Sequence, residues 1–176
     1  MENNNKINYF ELVERCASKK IDVEIANGKI EHAQILLEAM LRHGKKSVNI
    51  FTGRLDESLY ASEKFKIWVD IYHRVSDGTL NFVIQSIADL QKHPLYAYVK
   101  AIDPNFDRIK FFIVKSNSAA FKNKNHFATM DGLAYREEVD DRKIRAIANF
   151  NDEKKNKELQ ATFNNLVQYQ SIQYSS

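Results

Sequence analysis

Apolar residues recur along the chain in two rhythms, and their succession predicts the elements. After the turn signal Asn27-Gly28, Ile30, Ala33, Leu36, Leu37, Met40 and Leu41 keep the three-and-four spacing of one helical face up to His43-Gly44, where the glycine is expected to cap the helix. Residues 47–52 (Ser-Val-Asn-Ile-Phe-Thr) then read as a buried strand that empties into Gly53-Arg54. Ser62 is placed to cap a helix in which Phe65, Trp68, Val69, Tyr72 and Val75 share a face, and Asp77-Gly78 ends it. Leu80, Phe82 and Ile84 alternate with Asn81, Val83 and Gln85, the period of a strand. A short helix is predicted over 94–101, with Pro94 in its first turn and Asp103-Pro104 as its stop.

The second half is richer in strands. Residues 108–114 contain Ile-Lys-Phe-Phe-Ile-Val, a strand pattern, and a polar loop follows over 115–125. Residues 126–130 and 133–136 flank Asp131-Gly132, the strongest short-range hairpin signal in the chain. Residues 144–150 predict another strand, and Asn151 is placed to cap a last helix that turns Leu159, Phe163, Leu166 and Val167 inward. The predicted order α, β, α, β, α, β, β, β, β, α implies an α/β fold, a mixed β-sheet flanked by helices. No internal repeat and no Pro- or Gly-rich linker divides the 176 residues, so one domain is expected over 1–176, frayed at its polar ends 1–5 and 168–176.

Composition narrows the function classes. Lys and Arg number 26 against 23 Asp and Glu, a net +3, so bulk charge does not argue for nucleic acid and a local basic face would be needed. Cys16 is the single cysteine, which excludes an intrachain disulfide and a cysteine-based zinc site within one chain. No metal and no cofactor is implied. Residues 1–5 show no basic lead into an apolar run, and no later stretch approaches bilayer-spanning length; no membrane partner and a cytoplasmic location are therefore expected.

Chemical promise concentrates in residues 124–132, Lys-Asn-His-Phe-Ala-Thr-Met-Asp-Gly. Strand alternation puts Lys124, His126 and Ala128 on one face, so an ammonium and an imidazole become neighbours, a pair that suits a phosphate. The plainer reading makes Lys124 and His126 polar loop-edge residues and Asp131-Gly132 a tight turn. Arg136 stands where it could oppose His126 across the hairpin and grip phosphate, or pair with Glu137 or Glu138. Arg54 follows a strand, at the carboxyl edge where open α/β sheets bind ligands. His32 and His43 lie eleven residues apart on one helix, sharing a face without reaching each other, and Phe111, Phe112, Phe121 and Phe127 read as core rather than as a base-stacking platform.

The layout resembles a single phospholipase D-like domain of the small bacterial nuclease type, over nearly the whole chain. The resemblance rests on a helix carrying His32 to Leu41, the strand after it, a second helix and strand, a hairpin turning at Asp131-Gly132, and the closing strand and helix around residues 144–153. That family's signature is His-x-Lys, four residues, then Asp-Gly, with the histidine taking up phosphate and the lysine holding it. Counted back from Asp131, the family histidine falls on Lys124 and the family lysine on His126, so the pair is inverted. Lysine does not replace imidazole as this nucleophile. The Gly-Ser-x-Asn stretch usual downstream is also absent, with residues 134–138 in its place.

The resemblance thus implies a degenerate phospholipase D-like module that binds nucleic acid (DNA or RNA) or a protein partner in a bacterial nucleic-acid-handling or defence system, as a homodimer or with a larger partner. The alternative is a phosphodiesterase or nuclease in which His126 works with Lys124 and Arg136, and Asp131 completes the motif. Phosphate contacts are then expected from Arg136, Arg54 and Lys124.

Overall fold

The computed structural model describes residues 8–123, 125–140 and 145–174. In chain order the elements are α1 (Tyr9–Lys19), β1 (Ile25–Asn27), α2 (Ile30–His43), β2 (Ser47–Thr52), α3 (Glu57–Tyr60), α4 (Glu63–Val75), β3 (Thr79–Ile84), α5 (Pro94–Ile102), β4 (Ile109–Val114), β5 (Phe127–Met130), β6 (Ala134–Asp140), β7 (Arg145–Asn149), α6 (Glu153–Asn165) and β8 (Ser171–Gln173). The strands form one mixed sheet in the order β1-β7-β6-β5-β2-β3-β4-β8. The central β2, β3 and β4 run parallel, and every other neighbouring pair is antiparallel. The expected α/β class is therefore observed.

Strand alternation sorts the core into two layers. Val48, Ile50, Leu80, Phe82, Ile84, Ile109, Phe111, Ala128 and Met130 face the helices α1 to α5 and form the larger cluster with Leu36, Leu37, Met40, Phe65, Val69 and Leu95. Phe51, Val83, Phe112, Val114, Phe127 and Tyr135 point the other way, where Leu159 and Phe163 of α6 and Leu166 just beyond it cover them. The four phenylalanines read as core are thus split: Phe111 stacks on Phe82 in the larger cluster, Phe112 and Phe127 join the α6 layer, and Phe121 is 39% exposed.

Several boundaries differ from the sequence expectation, each for a local reason. A helix and a short strand precede the first expected helix. Asn8 and Glu11 form a reciprocal capping box that starts α1, and Lys20 stops it in the left-handed region. Gly44 ends α2 with extended backbone (φ −67°), so it is not a left-handed cap; a Cβ there would sit 2.7 Å from the Met40 carbonyl oxygen, and close packing is what requires glycine. Asp152, not Asn151, caps α6, accepting from the Lys155 amide. Residues 168–173, expected to fray, continue through a π-helical turn (Leu166–Gln170) into β8, which pairs with the outer edge of β4. No helix among the described residues is long and apolar enough to cross a membrane.

Candidate phosphate site at the carboxyl edge of the sheet

β1, β2, β3, β4 and β6 end at the same edge of the sheet, and β5, β7 and β8 begin there. His126 sits at this edge, one residue before β5. Its carbonyl accepts from the Glu138 amide at 2.8 Å, so the β5–β6 ladder extends to it and Glu138 lies directly opposite. The β6–β7 register shifts between Glu138 and Asp140, just past that point.

The imidazole is held on both nitrogens. Nδ1 lies 3.0 Å from Glu138 Oε2 and Nε2 lies 3.3 Å from Gln85 Oε1. Gln85 has no choice of orientation, because its side-chain NH2 donates to the carbonyls of Ala120, Phe121 and Asn123 at 2.8, 2.9 and 2.5 Å, which turns its oxygen toward the ring. Each imidazole nitrogen therefore faces an acceptor. The ring also meets the edge of Phe51 at 5.4 Å and rests over Gly53, where a Cβ would come within 2.7 Å of Cε1.

Arg136 is 5% exposed and opposes Ala128, not His126. Both terminal guanidinium nitrogens lie 3.3 Å from Glu138 Oε1, while its Nε is buried without a partner. Glu138 is thus shared between an imidazole and a guanidinium. Burial pushes its carboxyl up, but the His126 hydrogen bond and the Arg136 charge outweigh this and leave it below the ordinary glutamate value.

The other candidate residues are distributed unevenly. Asp131 lies at the far end of β5, roughly 16 Å along the strand from His126 at about 3.3 Å per residue. Its carboxylate accepts the backbone amides of Lys45, Lys46 and Ser47 at 2.7, 2.8 and 2.9 Å, which ties the hairpin to the start of β2. It is not brought to the imidazole. Lys124 lies outside the described residues; Asn125 donates its amide to Asn123 Oδ1 at 3.0 Å. Arg54 is exposed just beyond β2 and lines a cleft of about 560 Å³ together with Gly53, Gln85, Ser86, Phe121 and His126, and a neighbouring one of about 590 Å³ with Lys92 and His93. The structure therefore brings Arg54 and His126 to one cleft, and links Arg136 to them only through Glu138.

Gln85 has no sequence signal as a site residue, and Glu138 is expected there only as a partner of Arg136, a pairing observed at 3.3 Å; its contact with His126 is not foreseen. Gln85 ends the alternation of β3 one residue past the strand, and Glu138 lies in the polar half of β6; only the register that sets Glu138 opposite His126 marks either. His32 and His43 belong elsewhere: His32 stacks on Tyr9 with ring centres 3.6 Å apart, and His43 reaches Glu14 at 3.3 Å. Among the described residues no cluster of three or more His, Cys, Asp or Glu could hold a metal.

No protein-family model matches the chain, and no curated protein matches it significantly in sequence. Solved structures do resemble it. TrmBL2, an archaeal chromatin protein whose structure shows a novel mode of DNA binding, superposes over 91% of this chain and 58% of its own length, with TM-score 0.60 and 9% identity. Phosphatidylserine synthase from Haemophilus influenzae Rd KW20 superposes over 86% of this chain and 39% of its own, with TM-score 0.55 and 5% identity. NucT from Helicobacter pylori superposes over 88% of this chain and 99% of its own, with TM-score 0.57 and 10% identity. The chain thus spans little more than half of TrmBL2 and well under half of the synthase, and at these identities what it shares with all three is the fold.

Proposed function

We propose that the chain is a phospholipase D-like module without the phosphoryl-accepting nucleophile, which binds nucleic acid through its phosphates at the carboxyl edge, as a homodimer or joined to a protein partner. The observation that carries this reading is the double engagement of His126 by Glu138 and Gln85. An imidazole serving as nucleophile must present a free nitrogen to phosphorus; here Glu138 and Gln85 occupy both nitrogens. The exposed guanidinium of Arg54 in the same cleft supplies a positive group, and Lys124, two residues before His126, is proposed as another. The shared fold with a DNA-binding chromatin protein supports nucleic acid as the ligand class.

The test measures binding and cleavage together, on single-stranded and duplex DNA and on RNA. Expected is salt-sensitive binding with no cleavage, and an Arg54→Ala chain whose logarithmic salt slope falls by about one, the signature of one lost phosphate contact. Cleavage that disappears in His126→Ala would instead establish a phosphodiesterase built on His126, Lys124 and Arg136. Co-purification of a single protein partner with no nucleic-acid binding at low salt would replace the ligand class.

A further inference from the structure

The opposite face of the sheet carries a polar row that packing alone does not call for. Thr129 of β5, Asn49 of β2, Asn81 of β3 and Lys110 of β4 are register partners in turn, so four neighbouring strands contribute one polar residue each to a single line beside α6. Central parallel strands are ordinarily apolar on both faces, and asparagine is depleted in strands. The next row on this face, Phe127, Phe51, Val83 and Phe112, is the apolar layer that α6 covers. The polar line faces a shallow cleft of about 490 Å³, closed on its other side by Gln160, Asn164 and Val167. That volume is in the range of small-molecule sites.

Hydrogen-bond accounting shows what the cleft still offers. Asn81 Nδ2 donates to Asn49 Oδ1 at 2.8 Å, Asn49 Nδ2 and the Thr129 hydroxyl both donate to Gln160 Oε1 at 2.9 Å, and Gln160 Nε2 donates to Asn164 Oδ1 at 2.9 Å. Asn81 also donates to the Thr79 hydroxyl at 3.3 Å. The amides orient one another in series. The series uses both hydrogens of Asn81 and leaves its carbonyl oxygen as an acceptor, with one Gln160 N–H and the Asn164 NH2 as donors. Lys110, half-buried at the end of the row, has no acidic partner among the described residues. Adjacent amides that offer both donors and acceptors, with a cation at one end, complement a base edge that carries both kinds of group, joined to an anionic group.

We infer that this cleft is a nucleotide site, separate from the carboxyl edge, in which Asn81, Gln160 and Asn164 meet the base edge and Lys110 meets the phosphate. Its residues share none with the clefts around Arg54 and His126, so it does not rest on the function proposed above. The test titrates the full chain, by calorimetry and amide-resonance shifts, with the four common nucleoside 5′-monophosphates, their parent nucleosides and inorganic phosphate. At least one nucleotide is expected to saturate, and its nucleoside to bind about tenfold more weakly. Lys110→Met should remove that tenfold advantage and leave nucleoside affinity intact. Asn164→Ala, at an exposed helix position, should weaken both without lowering thermal stability. The inference is overturned if no nucleotide saturates the wild-type chain, if free phosphate binds as tightly as the nucleotide, or if both variants bind like wild type. Loss of nucleotide binding in Arg54→Ala with retention in Lys110→Met would also overturn it while leaving the carboxyl-edge reading in place.

Discussion

Gly53 is small because the His126 ring stands on it: a Cβ would lie 2.7 Å from Cε1 and 2.8 Å from Nε2, closer than the ring can tolerate without shifting. Gly53→Ala is therefore expected to push the imidazole off Gln85 or Glu138 and to reduce nucleic-acid binding as much as His126→Ala does, with the fold kept. Unchanged His126 ring resonances in that variant would contradict the packing described. Glu138 gives the same site a pH dependence. Its carboxyl is depressed below the ordinary value of 4.5, so the stability it contributes is present above that value and is lost as pH falls through the lower, folded-state value. The stability difference between wild type and Glu138→Gln should thus be flat near neutrality and shrink below about pH 4.5; a difference that grows on acidification would refute the pairing. Asp131, read from the sequence as part of a catalytic motif, holds three amides instead. Asp131→Ala should cost about 2–4 kcal/mol in denaturant unfolding, since charged acceptors contribute roughly 1.5–3 kcal/mol per hydrogen bond with partial compensation by water.

Elements with a strong period were legible, and elements defined by pairing were not. α2, α4 and α5, and the strands β2, β3 and β4, follow from apolar spacing: Leu36, Leu37 and Met40 on α2, and Leu80, Phe82 and Ile84 on β3, are almost fully enclosed, while the expected face members Ile30 and Val75 at the helix ends are exposed. The Asp131-Gly132 hairpin is also where the residues put it, with both turn residues at positive φ. β8 has no such signal. Ser171, Ile172 and Gln173 are too few and too polar to announce a strand, and they become one because β4 would otherwise expose its edge. Ending the chain before Ser171 is accordingly expected to lower the unfolding midpoint and to promote association through β4; a truncated chain that stays monomeric and equally stable would show that β8 is dispensable. α1 was legible in principle, from Asn8 and Glu11 three residues apart ahead of apolar positions.

At the scale of the molecule, the sheet order explains why the site was only half visible. His126 and Arg54 belong to segments about 70 residues apart, and they share a cleft because β5 inserts antiparallel beside β2. Glu138 and Gln85 reach the same ring from β6 and from just past β3, partners that no local pattern predicts because they are set by register across three strands. Asp131 belongs to the same short segment as His126, yet the extended β5 carries it to the opposite end of the strand, so nearness in sequence does not become nearness in space. That His126 meets a phosphate without attacking it is tested most directly by trapping. The chain would be incubated with labelled nucleic acid, quenched in alkaline denaturant that preserves phosphohistidine, and mapped by mass spectrometry. The account predicts bound but intact nucleic acid and an unmodified residue 126; a phosphorus–nitrogen adduct at that histidine would contradict it.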